Sequence, residues 1–379
     1  MLKLEARPQP SQWMVIASPV IALLITVLLG VLLFSALGKD PLRGLQMFFI
    51  EPIKNGYAWS EIAIKATPLA LIALGLSICY RSNVWNIGAE GQFILGAIFA
   101  GGVAMTAGPG STRWVVLAIL GAAVLGGMLW AGVVALLRDR FNANEILVSL
   151  MLVYVADLLL GWLVYGPWKD PKGYNFPQTI TFDAITKIPK LMDGSRANIG
   201  VLIALAAAAL GWLLLFRSYA GFQLQVGGLA PAAARYAGFS SRGALWLALL
   251  LSGGLAGLAG GLEAAGPLGQ LTPHVPAGYG FAAIIVAFVG RLHPVGVLFS
   301  AVLMSMFFIG GELAQSRLGL PKSITGVFQG LLLIALLACD TLIHYRVKWT
   351  PPRSDQRSPP PRGGAASGPA KPVPRRPLA

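Results

Sequence analysis

The sequence predicts an all-α membrane protein of about ten transmembrane helices, and three observations predict it. Of its 379 residues 56% are hydrophobic and only 12% charged, where soluble domains carry roughly a quarter charged residues. The mean hydropathy is +0.69. Apolar runs near or above the roughly 20 residues needed to cross about 30 Å of hydrocarbon recur along most of the chain. One bundle of spanning helices is therefore expected, rather than a soluble domain with an anchor.

Apolar runs read against polar breaks give segments at 15–37, 61–80, 84–107, 114–137, 146–166, 198–216, 244–265, 280–290, 295–313 and 325–344. The first follows Lys3 and Arg7. Its apolar core exceeds the roughly 7 to 15 residues of a signal peptide and no A-x-A site follows, so it is expected to remain as a helix. The segment at 84–107 opens on polar and glycine residues, NVWNIGAEGQ, with Glu90 at its mouth. The segment within GYGFAAIIVAFVGRLHP, 278–294, is short and punctuated by Gly and Pro. Short or interrupted segments point to a translocation pathway, because irregular backbone survives at membrane depth only where protein or water satisfies its polar groups. Two spans carry small residues at every fourth position, Gly253, Gly257, Gly261 and Ala265 in one and Gly96, Ala100, Ala104 and Gly108 in the other. Such stripes let helix backbones approach closely and predict a tight bundle.

An even number of spans puts both termini on one side. With that side cytosolic, 17 Lys/Arg lie inside and 12 outside, but eight of the 17 are at or after Arg346. The local cue is stronger: the 217–243 loop carries Arg217, Arg235 and Arg242 without an acid, whereas the 167–197 loop mixes five Lys/Arg with three Asp. Long loops weigh little in the positive-inside rule, so both termini are expected in the cytosol. The domain plan is then a cytosolic N-terminus at 1–14, a transmembrane domain at 15–345 and a basic, Pro-rich, disordered cytosolic tail at 346–379. The formal charge of +14 is assigned to that tail lying near anionic membrane lipid rather than to nucleic acid, since no nucleic-acid recognition motif accompanies it.

The chain has no P-loop, no G-x-S-x-G elbow and no paired-carboxylate arrangement, so no enzyme activity and no bound cofactor are expected. Cys79, Cys339, His274, His293 and His344 lack metal-ligand spacing and no metal is expected. Chemistry therefore rests on acids within or bordering spans: Glu90, Glu145, Asp157, Glu263 and Glu312. Such groups are costly in hydrocarbon and usually face a bundle interior or water. Glu90 and Glu145 also fit simple helix-start electrostatics, while Asp157 lies well inside its span. In the 217–243 loop, Pro231 followed by Ala232, Ala233, Ala234, Arg235 and Tyr236, with Gly238 as a stop, spells a short helix. That helix reads as a docking element for a cytosolic partner with Tyr236 and Phe239 as apolar anchors, or as a solvated connector.

NIGAEGQ at 86–92, NEILVSLMLVYVA at 144–156, GPWKDPKGYNFPQ at 166–178, APAAARYAGFS at 230–240, LSGGLAGLAGG at 251–261 and GYGF at 278–281 together resemble permease subunits of bacterial ABC importers for nucleosides and simple sugars. These form the branch of the branched-chain amino acid and ribose-type permeases linked to basic-membrane-protein-like binding proteins, and the resemblance covers about 15–345. It implies a type II importer permease fold and a second permease subunit of related but different sequence. It also implies two cytosolic ABC ATPases carrying ATP and Mg, a periplasmic substrate-binding protein, and a location in the bacterial cytoplasmic (inner) membrane. The 217–243 loop would hold the coupling helix, with Pro231, Ala232, Ala233, Arg235, Tyr236, Gly238 and Phe239 facing the ATPase, and 167–197 would be periplasmic. Transport would proceed by alternating access. A pathway or gate is expected from Asn86, Glu90, Gln92, Tyr154, Asp157, Glu263, Tyr279 and Phe281. The chain departs from the family pattern at Val153 and Ala282, positions that bear on the identity of the solute. The competing reading is a secondary transporter or channel that uses Asp157 or Glu263 as a proton relay.

Overall fold

The structure, a computed structural model, describes residues 2–6, 12–108, 110–192, 194–321 and 323–349. Its helices are α1 (Gln12–Ala36), α2 (Pro41–Phe49), α3 (Gly56–Arg81), α4 (Ala89–Thr106), α5 (Val115–Phe141), α6 (Glu145–Tyr165), α7 (Gly200–Arg217), α8 (Tyr219–Leu229), α9 (Pro231–Tyr236), α10 (Ser241–Glu263), α11 (Tyr279–Val289), α12 (Pro294–Leu318) and α13 (Ser323–His344). Among the described residues eight helices are long and apolar enough to cross a membrane, and the shorter apolar helices at 279–289 and 323–339 complete the ten segments expected. Strand β1 (Leu2–Ala6) pairs antiparallel with β2 (Tyr345–Trp349), so the two ends of the described chain lie together. The basic tail was expected from 346, but β2 carries regular structure to Trp349; residues 350–379 lie outside those described.

The centre of the bundle is built on absent side chains. α10 packs on α5 and α4, and Cβ atoms on Gly253, Gly257 and Gly261 would overlap Ala131, Ala123 and the Gly127 backbone. Gly96 of α4 abuts the Gly257 backbone and Gly260 abuts the Phe93 carbonyl. Both predicted stripes thus meet on α10. The gain is dispersion between closely apposed backbones, which replaces the hydrophobic driving force that lipid cannot supply between helices.

Two helices were not anticipated from sequence. α2 reads as a loop by length, but Asp40 caps it by accepting from Leu42 N–H (3.0 Å) and Pro41 stands at its first position. Its Phe48 is fully buried, 4.6 Å from Phe328 and 6.1 Å from Phe34 between ring centroids, which clamps α2 across α1, α12 and α13. α8 begins where Ser218 Oγ accepts from Gly221 N–H (3.0 Å). Gln225 on α8 accepts from Arg81 Nη1 at 3.1 Å, and Arg81 Nε donates to the Leu292 carbonyl at 2.8 Å. Arg81 therefore ties the end of α3 both to α8 and to the turn between α11 and α12, where Arg291 and Leu292 take left-handed φ values of 57° and 52°.

Candidate functional site

The two interrupted segments come together at mid-span. After α3 the chain turns at Asn83 (φ 56°) and runs without regular structure to α4. Asn86, fully buried, donates to Ser252 Oγ (3.0 Å) and Gln92 Oε1 (2.9 Å) and accepts from Gln92 Nε2 (3.0 Å) and from Gly88 N–H (3.2 Å). Ile87 N–H donates to Ser149 Oγ at 3.3 Å. These bonds satisfy an irregular strip of backbone that lipid cannot solvate. Ser252 is the midpoint of α10 (Ser241–Glu263), so the Asn86 side chain, and with it the approach to α4, lies near the middle of the bundle rather than at its edge.

Glu90, in the first turn of α4 and only 2% exposed, points at a different helix. Gly278 N–H donates to Oε1 (2.9 Å) and Gly280 N–H donates to Oε2, so the carboxylate caps the start of α11. A negative charge at a helix N-terminus is favoured by the unpaired N–H groups and the dipole, more so where water is scarce. The GYG sequence is explained with it. Gly278 takes φ 80° as the residue before the helix, and a Cβ on Gly280 would collide with the Glu90 backbone and carboxylate. Helix-start electrostatics were expected of Glu90 on its own helix; the structure directs the group to α11 instead.

α6 lies against the same turn of α4, with Gly91 close to Val153 Cα (3.1 Å from an added Cβ) and Trp130 Nε1 donating to the Leu152 carbonyl at 3.2 Å. Asp157 and Tyr154 (61% exposed) lie on the open face of α6, and Phe281 is 42% exposed on α11. The expected pathway residues therefore divide. Tyr154, Asp157 and Phe281 are open on the two helices flanking the α4 start. Asn86 and Gln92 are buried and hydrogen-bonded to each other. Tyr279 is buried edge-on to Phe93 (5.9 Å between centroids) and beside Phe308 (5.3 Å). Val153 and Ala282, where the chain departs from the expected pattern, are both buried in helix packing.

Glu263 belongs to a separate group of charges at the opposite end of α10, just before a π-helical turn at Ala264–Leu268. The charges there pair with one another, Lys65 with Glu312 at 2.8 Å and Arg196 with Glu61 at 3.1 Å. Glu145 is paired with Arg138 at 3.1 Å behind the Asn144 cap of α6.

The predicted short helix is α9, with Gly238 at φ 78° ending it. Ala232, Ala233 and Arg235 are exposed, and Tyr236 is 97% exposed. Ala234 anchors α9 from beneath. Phe239, expected as a second outward anchor, packs edge-on against Tyr219 (6.0 Å) and Phe222 (6.1 Å) and braces α9 on α8. Arg242 and Trp246 Nε1 (3.2 Å) hold Asp139. Arg81 was missed by sequence reasoning, because a cation at the end of an apolar run reads as a boundary marker and nothing local reveals its partners on α8 and beyond α11.

Among the described residues the chain is an apolar helical bundle in which Glu90 caps the half-length α11 and the short α9 stands exposed, the architecture of a multi-pass membrane protein. The chain belongs to the family described as branched-chain amino acid transport system / permease component, whose model matches residues 58–337. It is 31% identical to a glucose ABC transporter permease of Haloferax volcanii over 91% of this chain and 93% of that one. Two guanosine ABC transporter permeases of Bacillus subtilis are also similar, one 28% identical over 83% of this chain and 91% of the relative, the other 30% identical over 70% and 84%.

Proposed function

We propose that the chain is one of two permease subunits of an ATP-driven importer that takes a nucleoside or simple sugar from a periplasmic binding protein across the cytoplasmic membrane. ATP and Mg belong to separate cytosolic ATPases, both termini are cytosolic, and transport is by alternating access. The observation that carries this reading is α9, a short helix braced from behind by Phe239 and presenting Arg235 and Tyr236 to solvent. An aromatic and an arginine side by side on an exposed, braced element are what a protein interface uses as anchors. Two guanosine permeases from one organism both resemble this chain, which supports a pair of related but different subunits.

The mechanical link follows from Arg81. Displacement of α8 and α9 by an ATPase pulls on Gln225, Arg81 carries it to the Leu292 carbonyl at the far end of α11, and the near end of α11 is held by Glu90. Arg235→Glu combined with Tyr236→Ala is expected to abolish uptake and weaken ATPase association while the bundle stays folded. Co-purification and uptake both at wild-type level in the double variant would refute the coupling assignment.

The pathway runs along the open face of α6. A carboxylate well inside a span costs about 2.5 to 3.5 kcal/mol against lipid, so Asp157 faces water and the second permease. Tyr154 offers a ring for a base or sugar face, and Asp157 accepts from hydroxyl groups. Losing such a charged hydrogen bond is worth about tenfold, so Asp157→Leu should lower solute uptake by about that factor and Asp157→Asn by less. Wild-type uptake by Asp157→Leu in the assembled complex removes Asp157 from the pathway.

A further inference from the structure

A cavity of about 920 Å³ opens on the outside of the bundle, between the start of α5, the 184–190 stretch and the start of α7. Its deeper wall is apolar: Leu117 and Leu120 from the first turns of α5, Ile203 from the first turn of α7, and Ile188 from the loop. Both helices are long and apolar enough to cross a membrane, which sets this wall at their first turns, where a span enters hydrocarbon. The same cavity is lined by Arg113, Lys187 and Lys190, and by no acid among the described residues. None of the three cations is in an ion pair among the described residues. Trp114, 74% exposed beside Arg113, is the kind of residue that sits at headgroup level.

The loop wall is held in place. Ile188 N–H donates to the Ala265 carbonyl at 3.0 Å, Ile199 N–H to the Pro189 carbonyl at 3.1 Å, and Lys190 forms an antiparallel bridge with Asn198. The two lysines therefore project from backbone pinned to the π-helical turn after α10 and to the residues just before α7 rather than from a free loop.

The geometry points to a binding site for an anionic phospholipid, with its phosphate among Arg113, Lys187 and Lys190 and an acyl chain in the seam between α5 and α7. Three cations without a protein counter-charge call for an anion. A seam walled by Leu117, Leu120 and Ile203 calls for a hydrocarbon tail on the same molecule, because a soluble acidic protein could meet the cations but would leave the seam unfilled. The site also accounts for Lys and Arg in the 167–197 loop, which weaken the charge asymmetry on which the orientation of the chain was read. It does not depend on the solute or on the ATPase.

The test uses the full chain, purified with whatever subunits accompany it and reconstituted in discs of equal phosphatidylglycerol and phosphatidylcholine; retained lipid is then counted by native mass spectrometry. A single Lys or Arg near an anionic surface contributes at about the level of a fivefold change in binding. The triple variant Arg113→Gln, Lys187→Gln, Lys190→Gln should therefore retain at least about fivefold less phosphatidylglycerol, with phosphatidylcholine unchanged. Ile203→Trp, which fills the seam and leaves every charge in place, should also displace the phosphatidylglycerol, and Lys187→Arg should keep it. Equal phosphatidylglycerol retention by wild type and the triple variant overturns the proposal. So does a triple variant that loses docking of a soluble acidic protein but keeps its lipid.

Discussion

Glu90→Ala should reduce uptake to below about 1% of wild type in a fully assembled complex. The carboxylate accepts two backbone N–H groups of α11 from within the bundle. Each hydrogen bond to a charged group is worth about 1.5 to 3 kcal/mol, so losing both releases the start of α11 by about 3 kcal/mol or more. That is enough to repopulate the equilibrium between closed and open arrangements by more than about a hundredfold, given that 1.4 kcal/mol is a factor of ten. Glu90→Gln keeps one acceptor oxygen and should fall between the two. The measurement is solute uptake in proteoliposomes, with ATPase association and elution volume as controls for assembly. Normal transport by Glu90→Ala in a correctly assembled complex would sink the clasp as a working part of the transporter.

Gly257→Leu is expected to prevent a stable bundle. The added side chain would strike the Ala123 carbonyl on α5 and come within 2.8 Å of Gly127 Cα and N from an ideal Cβ, and backbone cannot swing aside as a rotamer can. Overpacking a close-packed interior costs about 1 to 3 kcal/mol even where side chains can yield, so the loss here should reach about 3 kcal/mol or more. The informative control is Gly121→Leu on the same α5, where a Cβ meets nothing within 4 Å. Thermal unfolding of the purified variants should show Gly257→Leu strongly destabilised or unrecoverable and Gly121→Leu close to wild type. Equal midpoints for the two would mean that close backbone approach is not what holds α4, α5 and α10 together.

The contrast between Gly121 and Gly127 marks where sequence reasoning stops. Both lie on α5, and nothing in composition separates a glycine facing lipid from one facing a neighbouring backbone. The stripes on α4 and α10 were legible because small residues recur at the helical period over several turns, and periodicity survives any arrangement of neighbours. α9 was legible for a similar reason: Pro231 and Gly238 are local start and stop signals, and the helix is formed by local chemistry before any packing is considered. α2 and α8 carry no run long enough to stand out, and each is held by distant partners, Phe328 for Phe48 and Arg81 for Gln225.

The sequence by itself determined the class of the protein, the apolar segments of the bundle, both irregular segments and the outward helix, because hydropathy, helical period and turn chemistry are properties of neighbours along the chain. Only the tertiary structure decided what Glu90 holds. Its two partners at Gly278 and Gly280 lie 188 and 190 residues away, and the reason for a carboxylate inside a membrane bundle is a pair of N–H groups that no local pattern announces. The same holds for Asn86, Gln92 and Tyr279, which share with Tyr154, Asp157 and Phe281 the look of pathway residues in a list of letters. Burial separates them, and burial is a property of the packed bundle: the first three face other helices, the last three are left open for whatever the bundle meets.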